Sequence, residues 1–380
     1  MKIAVIGSGL MGRAAAYDLS RADDVEMVGL YDFDLDLAQE IARKYGNDII
    51  TAGKIDAGNE DEVTKILMDY DACVSAVTYR YNPGLTRAAI ASKTHFFDLG
   101  GNNEAVATQF AMDEEAKAAD IVVIPDCGLA PGMVSVLAAA GIKEFDKVRS
   151  LKIRVGGLPQ NPRPPLNYQM VFSSEGLINE YWEPVIVLDN GEKKTVNPMT
   201  GLEELEFDGI GKLEAFYTSG GTSTLPDTYK GVVDFLDYKT IRYPGHCLLF
   251  KAMLDIGLGS RSEVKVDGMG VEPRKVFKKV LEKNLSFGDP DMVLVRLIFE
   301  GDKDGRNMEL VYEIVDRQDT RTGLTSMMRT TSFPIAIIAW MACQGRITHR
   351  GVVPQEIAVE PQFFMSQLKK RNINIKVTKS

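Results

Sequence analysis

Short apolar runs alternate with segments of helical period along the first 130 residues. KIAVIG (2–7) is apolar after its first residue, as a strand buried on both faces should be. Similar runs occupy 25–32, 48–56, 71–77, 95–101 and 120–128, and helical segments lie at 10–22, 35–46, 60–68, 83–92 and 104–119. Six strands alternating with five helices predict a doubly wound parallel sheet. The pattern changes after Gly132. A helix (133–143) leads into runs that alternate apolar and polar residues, at 151–157, 183–191, 232–243, 291–302 and 306–317. Alternation predicts an antiparallel or mixed sheet with one solvated or interface face. DKDG (302–305) reads as a hairpin turn between the last two runs, and helices are expected at 246–257 and 273–283. The segment 334–345 is apolar all round, so it predicts a buried helix that returns to the first domain. The expected fold class is therefore α/β: a Rossmann-like doubly wound parallel sheet plus a second α+β domain with a mixed or antiparallel sheet. The expected boundaries are 1–131, 132–333 and 334–380.

A chain of 380 residues has room for these domains. A net charge of −9 and a pI near 5.1 argue against a nucleic-acid surface, which needs a basic stripe. The four cysteines, Cys73, Cys127, Cys247 and Cys343, show no C-x-x-C spacing, and there are only three histidines. No metal site and no disulfide scaffold is expected. The apolar stretch 333–343 is far shorter than a bilayer span, and glycines and Arg13 break the N-terminal apolar run. The expectation is a soluble, cytoplasmic protein with neither a nucleic-acid nor a membrane partner.

The first candidate site is GSGLMG (7–12), which follows the first strand and opens the first helix. Gly7 permits a tight turn, Gly9 lets backbone amides approach a pyrophosphate, and Gly12 allows close helix–strand packing, with Ser8, Leu10 and Met11 between them. The helix N-terminus then faces the phosphates. Asp32 ends the second strand, 20 residues after Gly12, where a carboxylate accepts from ribose hydroxyls and repels a 2′-phosphate. No arginine follows it, so NAD is expected over NADP. Loops at the carboxyl ends of the other strands should line the same crevice: Asp56 and Ala57, Ala76 and Val77, Tyr79, Asp98, Gly100, and the stretch from Asp126 to Pro131. Cys127 reads as a small buried residue, because nothing beside it in sequence marks an activated thiolate.

The second domain has motifs of its own. FSSEGL (172–177) places Glu175 in an expected loop. FYTSGGTSTL (216–225), which includes Thr222, is dense in hydroxyls and glycines. YKTIRYPGH (238–246) puts Lys239, Arg242 and His246 in one short segment, and on a strand Lys239 and Arg242 must point to opposite faces.

These segments, with SAVTY (75–79), DCGLAPGM (126–133), MMRTTSF (327–333) and GRITHRGVVPQE (345–356), resemble the saccharopine dehydrogenase (reductase) superfamily over nearly the whole chain, and its lysine 6-dehydrogenase branch most. Gln355, where that branch leads us to expect a second proline, is a departure. The resemblance implies NAD-dependent oxidation of the terminal amine of L-lysine to the ε-semialdehyde, which cyclises, with release of ammonia. It also implies a homodimer. That chemistry needs a base, and His246, Lys239 and Tyr79 are the candidates. It needs a fork for the substrate carboxylate, for which Arg242 is suited. Glu175 or Asp98 could hold the cationic end. His95 and His349 read as structural or surface residues. Two alternatives remain at this stage. One is a reductive condensing dehydrogenase of the saccharopine or carboxynorspermidine type, which needs a further cation such as Lys239 or Arg154. The other is a non-catalytic NAD-sensing regulator.

Overall fold

The computed structural model of the chain describes residues 1–46 and 48–380. The chain divides into two compact units. The first takes Met1–Lys143 and Met328–Ile373, the second Glu144–Met327 and Asn374–Ser380. The expected boundary at 131 falls later because the helix Met133–Ile142, buried almost throughout, belongs with the first unit. The last seven residues join the second unit, not the first.

In the first unit the strands are β1 (Lys2–Ile6), β2 (Met27–Asp32), β3 (Ile50–Lys54), β4 (Ala72–Ser75), β5 (His95–Asp98) and β6 (Val122–Ile124). Between and after them run α1 (Leu10–Leu19), α2 (Leu35–Tyr45), α3 (Glu60–Leu67), α4 (Asn82–Ser92), α5 (Asn103–Phe110), α6 (Asp113–Ala118) and α7 (Met133–Ile142). The expected helix 104–119 is two helices, α5 and α6. Side chains close the helix starts: Asp34 accepts from the Leu37 amide, Asn59 from Glu62 and Asn102 from Ala105.

In the second unit β7 (Lys147–Pro159) and α8 (Ser174–Trp182) precede β8 (Val185–Asp189), β9 (Glu192–Val196), β10 (Glu203–Phe207), β11 (Gly211–Tyr217), α9 (Leu225–Thr228), β12 (Val233–Arg242) and α10 (His246–Asp255). A hairpin, β13 (Val264–Val266) and β14 (Met269–Val271), leads to α11 (Pro273–Leu285), β15 (Asp291–Lys303) and β16 (Arg306–Arg317). The chain closes with α12 (Ser326–Cys343), β17 (Gly351–Val352), α13 (Gln355–Ala358), α14 (Pro361–Lys370) and β18 (Lys376–Lys379).

The first sheet is wholly parallel, in the order β17-β6-β5-β4-β1-β2-β3. The order reverses between β1 and β4, and that is where such a sheet offers a crevice at its strand carboxyl ends. Its seventh strand comes from the C-terminal region, whose residues 328–373, with most of α12, lie in this unit. There Trp340 donates to the Asp23 carbonyl at 2.9 Å, and Arg371 pairs with the buried Asp18 at 2.7 Å. The second sheet is mixed, in the order β10-β11-β12-β7-β15-β16-β18, with β8 and β9 attached beside β12. Only the β12–β7 pair is parallel.

Helix α12 begins eight residues before the expected start at 334. The Asp291 carboxylate accepts from the amides of Ser326 and Met327 at 2.6 and 2.8 Å and so caps the helix there. Pro334 therefore lies inside the helix, not at its first turn. No helix of the described residues is long and apolar enough to cross a membrane.

Candidate active site

The first unit builds a phosphate cradle out of glycine geometry. Gly7 has φ +105°, and a Cβ on it would lie 2.8 Å from the Ala76 carbonyl oxygen. A Cβ on Gly12 would fall 1.6 Å from the Gly7 oxygen, so helix and strand meet at a separation only glycine allows. Gly9 differs: a Cβ there would meet nothing within 4 Å, which leaves open space in front of its backbone. Helix α1 has no side-chain cap, so its first amides have no partner within the helix. The Ser8 hydroxyl beside them is fully buried and has no partner. An orphaned donor, uncapped amides and cleared space fit the pyrophosphate of a dinucleotide.

Asp32 holds this loop from the end of β2. It accepts from the Ser8 amide at 2.5 Å and from the Asp34 amide at 3.0 Å. No basic residue stands between 33 and 37. The nearest cation in register is Lys54, paired with Asp32 across β2–β3, with its ammonium over the ring of Phe33.

The other crevice residues gather at the same strand ends. Ala76 donates its amide to Ile6, and Val77 packs within 3.1 Å of a Cβ built on Gly7. Ala57 lies half-buried, while Asp56 accepts from the Gly58 amide and is exposed. The half-exposed Tyr79 ring lies beside Gly101. Gly100 has φ +68° and packs onto Asp126. Pro131 follows a cis peptide bond in the turn before α7.

Asp98 has a different part from the one expected. It is fully buried and accepts from the Gly100 amide at 2.7 Å, the Gln109 side chain at 2.7 Å and the Asp126 amide at 3.3 Å. Burial raises its carboxyl above the usual range, against those three donors. It fixes the loops after β5 and β6 and has no acceptor capacity directed at a substrate. Burial, with Asp98 next, pushes the Cys127 thiol well above its ordinary range. That agrees with its reading as a small buried residue.

In the second unit Arg242 and Lys239 do lie on opposite faces of β12. Lys239 pairs with Glu203 at 2.7 Å, within a buried network where Arg154 binds Asp237 at 2.6 Å and also Glu203. An ammonium held by a carboxylate is no free base, so Lys239 leaves the list of base candidates. Glu175 is not in a loop. It lies in the first turn of α8, which Ser173 caps. Arg274, Arg261 and Lys278 surround its carboxylate at 2.9, 3.2 and 3.5 Å. Burial pushes its carboxyl up, but these cations outweigh that and hold it below the usual range. It has no capacity left for a substrate ammonium. Thr222 reaches toward the Ile186 carbonyl at 3.5 Å and ties its loop to β8.

Arg242 and His246 do come together, through a residue not expected from the sequence. Arg242 Nε lies 2.8 Å from the Tyr181 hydroxyl, that hydroxyl 3.1 Å from His246 Nε2, and His246 Nδ1 3.0 Å from the Leu166 carbonyl. An arginine can only donate and a carbonyl can only accept. The relay therefore runs one way: Arg242 donates to Tyr181, Tyr181 to His246, and His246 to Leu166. His246 is packed among Tyr168, Tyr181, Phe216 and Phe250 and is 1% exposed. Burial, reinforced by Arg242, drives its pKa down to about 3. It stays neutral, positions the Tyr181–Arg242 pair, and is not the general base.

Arg242 is only 2% exposed, with the rings of Tyr168 and Tyr181 at 4.8 and 5.8 Å from its guanidinium carbon. Nε and Nη1 are used, the latter on the Ile241 carbonyl, and Nη2 is left over. No carboxylate of the described residues forms an ion pair with it. Buried charges are ordinarily paired, so Nη2 is the part of this guanidinium free to receive an anion. The side chain of Glu180, also unexpected from the sequence, is half-buried near this fork. Burial raises its carboxyl to about 7, and Arg242 only partly offsets this. The SSEGLINEYW segment does carry a helix signal, a serine N-cap followed by an acidic first turn, and that reading would have placed Glu180 and Tyr181 on one helix.

Comparison with known proteins matches both parts of the chain, although the C-terminal family model also takes in α7 and residues 328–373, which pack in the first unit. Residues 3–124 match the family model described as the saccharopine dehydrogenase NADP binding domain, and residues 128–373 that of the saccharopine dehydrogenase C-terminal domain. The chain is 25% identical to the saccharopine dehydrogenase [NADP(+), L-glutamate-forming] of Saccharomyces cerevisiae over 271 residues, 67% of this chain and 58% of that protein. It is 24% identical to the carboxynorspermidine synthase of Vibrio cholerae, covering 84% of this chain and 80% of that one. It is 20% identical to the carboxyaminopropylagmatine dehydrogenase of a Synechocystis species, covering 97% and 95%. Of the saccharopine dehydrogenase and the two α-aminoadipic semialdehyde synthases of rat and cattle that it matches, it spans 58%, 28% and 45% of the length. A solved apo saccharopine dehydrogenase (L-Glu forming) from Saccharomyces cerevisiae has the same fold, with a TM-score of 0.82 at 20% identity over 100% of this chain and 99% of that one.

Proposed function

The chain belongs to the saccharopine dehydrogenase family, and we propose from that premise that it is an NAD-dependent oxidoreductase acting on the terminal amine of L-lysine. The products are the ε-semialdehyde, which cyclises, and ammonia. The nicotinamide, when bound in the first unit, supplies the hydride acceptor. The balance is one ammonium substrate, one oxidised nicotinamide and one water giving aldehyde, ammonium ion, reduced nicotinamide and a proton.

The observation that carries the reading is the buried Arg242 guanidinium, which makes no ion pair and whose Nη2 has no partner. A buried guanidinium with no carboxylate partner suits a substrate carboxylate, and its relay to Tyr181 and His246 sets the fork's orientation before substrate arrives. The substrate ammonium must lose a proton before hydride leaves its carbon. With His246 neutral and Lys239 ion-paired, Tyr79 remains of the three bases read from the sequence. The reductive condensing alternative is the one whose names the matched relatives carry, but the site offers it less. Its second carboxylate arm needs a free cation, and Arg154 and Lys239 are both engaged by Asp237 and Glu203.

The test is an absorbance screen of reduced nicotinamide with lysine, ornithine, saccharopine and diaminopimelate, each with NAD and with NADP. Reduction with lysine is expected. Turnover of saccharopine but not lysine would overturn the substrate, and no turnover with any of them would favour a regulator.

NAD is proposed over NADP because a carboxylate at the end of β2, here Asp32, repels a 2′-phosphate, although the family model matched at residues 3–124 is described as NADP binding. Asp32→Asn keeps an acceptor for the Ser8 amide but removes the charge. The expected outcome is a fall of at least about tenfold in the NAD/NADP ratio of kcat/KM. A wild type that already prefers NADP would shift attention to Lys54. A homodimer is also proposed: Val276 and Val280 share a face of α11 and are each half exposed, with Leu248 of α10 more so. A monodisperse monomer by light scattering at micromolar concentration would refute it.

A further inference from the structure

The hydroxyl of Tyr168 has no explanation in the fold. The side chain is fully buried, and its oxygen has no hydrogen-bond partner. The nearby amide of Val171 can only donate to that oxygen, so nothing receives the O–H proton. The ring packs in the apolar cluster that holds Leu166, Leu177, Ile178 and Phe250. Phenylalanine would fill the same place and leave no orphaned polar group. A buried hydroxyl without a partner destabilises the apo protein, so its presence here points to something it binds. Burial pushes its pKa up to about 12, so the hydroxyl is a standing donor at neutral pH.

Its position is set by the same relay that orients Arg242. The Tyr168 ring lies 4.8 Å from the Arg242 guanidinium carbon and 5.4 Å from the His246 ring. The loop that carries it is tied on both sides. His246 Nδ1 donates to the carbonyl of Leu166, two residues before it, at 3.0 Å. After it, the Gln169 side chain donates to the Asp289 carbonyl and the Met170 amide to the Leu285 carbonyl, each at 2.7 Å. The relay that starts at Arg242 therefore ends in the loop of Tyr168, passing through Tyr181 and His246. Tyr181 is saturated, since its hydroxyl accepts from Arg242 and gives its proton to His246. Arg242 Nη2 and the Tyr168 O–H are the donors left over. Two donors without acceptors, held beside each other, match the two oxygens of one carboxylate.

We infer that the Tyr168 hydroxyl is a second donor to the substrate carboxylate, bonding one of its oxygens while Arg242 Nη2 bonds the other. This rests on the proposed role of Arg242 and extends it. The group recognised is a free carboxylate, so a diamine of the same length without one, such as cadaverine, gains nothing from Tyr168. The relay then has a definite task. A neutral His246 holds Tyr181 with one ring nitrogen and Leu166 with the other, so the separation of the two donors is fixed before substrate arrives.

The experiment compares wild type and Tyr168→Phe, both saturated with NAD, on L-lysine and cadaverine, by steady-state kinetics, calorimetric titration and thermal melts. The variant keeps the ring and loses only the hydroxyl, so it should melt at or above wild type. KM and Kd for lysine should rise at least about tenfold with kcat near that of wild type, while those for cadaverine change less than about threefold. Unchanged KM and Kd for lysine would overturn the inference, as would equal losses for both amines, which would assign the hydroxyl to something other than the carboxylate. A melting temperature several degrees below wild type would mean that the hydroxyl is bonded within the fold, and would overturn it too. Lysine that binds in a Tyr168-dependent way without being oxidised would overturn the proposed reaction and leave the carboxylate contact standing. Lysine binding lost in Arg242→Met but intact in Tyr168→Phe would do the reverse. Failure of wild type to bind either amine would overturn both.

Discussion

Arg242→Met is expected to lower kcat/KM for the amino-acid substrate by about a thousandfold while leaving NAD affinity unchanged. Truncating one partner of a buried, hydrogen-bonded charge pair costs about 2–5 kcal/mol, and each 1.4 kcal/mol or so is a factor of ten. Arg242 is at the upper part of that range because it is buried and would lose its fork entirely. The melting temperature supplies the control. A guanidinium that served only the fold would, when removed, leave its neighbours unsatisfied and lower the melting temperature. A buried cation without a carboxylate partner is instead a burden to the apo protein, and replacing it by an apolar chain of similar length should be neutral or stabilising. Lost activity with an unchanged or raised melting temperature is therefore the signature of a binding group. Arg242→Lys should recover only part of the loss, since an ammonium has the charge but neither the planar fork nor the Nε contact with Tyr181. If Arg242→Met instead melts several degrees lower and keeps its kcat/KM, the carboxylate is held elsewhere.

The second large effect is expected at the glycines, where two neighbouring positions should fail differently. Gly12→Ala places a methyl group 1.6 Å from the Gly7 carbonyl oxygen, which no rotamer change can relieve, because the clash is with backbone. Helix α1 must move off β1. Stability should drop by about 1–3 kcal/mol, as for other overpacked sites, and NAD affinity by at least about a hundredfold, because the cradle is displaced. Gly9→Ala meets no protein atom within 4 Å, so the melting temperature should stay near that of wild type. Its methyl group instead occupies the space cleared for the ligand, and NAD affinity should still fall. Thermal melts read alongside fluorescence titration with NAD separate the two. Unimpaired NAD binding by Gly12→Ala would mean that the dinucleotide is not held at this turn.

The parallel sheet was legible because burial on both faces leaves no freedom in composition. Runs such as 3–7 and 72–77, the latter broken only by Ser75, are almost wholly apolar, and few other elements of that length are. The cofactor loop was legible for a related reason: Gly7 and Gly12 are demanded by backbone geometry, which leaves a local trace. The second unit was harder. Strand β9 reads EKKTV and is mostly exposed, so it shows no apolar period. The start of α12 is set by Asp291, some 35 residues upstream, which no local pattern could reveal. The roles of single ionisable residues were least legible. His246 looked suited to base chemistry because free imidazole titrates near neutrality, but four aromatic rings and Arg242 remove that property. Glu175 and Glu180 lie on one helix five residues apart. One is surrounded by three cations, Arg274 and Lys278 from α11 and Arg261 from the loop before β13, and the other makes no ion pair among the described residues.

The path of the C-terminal region has a consequence for biosynthesis. Residues 328–373 complete the first unit, where β17 extends the parallel sheet beside β6, and residues 374–380 add β18 to the edge of the second sheet. A nascent chain that has emerged only as far as Met327 therefore lacks the apolar body of α12 in one unit and an edge strand in the other. The Rossmann-like unit, although encoded first, cannot mature first. Its buried surface waits for the synthesis of residues 328–373, and until then the exposed apolar faces of α1 and α7 are where chaperones would be expected to act.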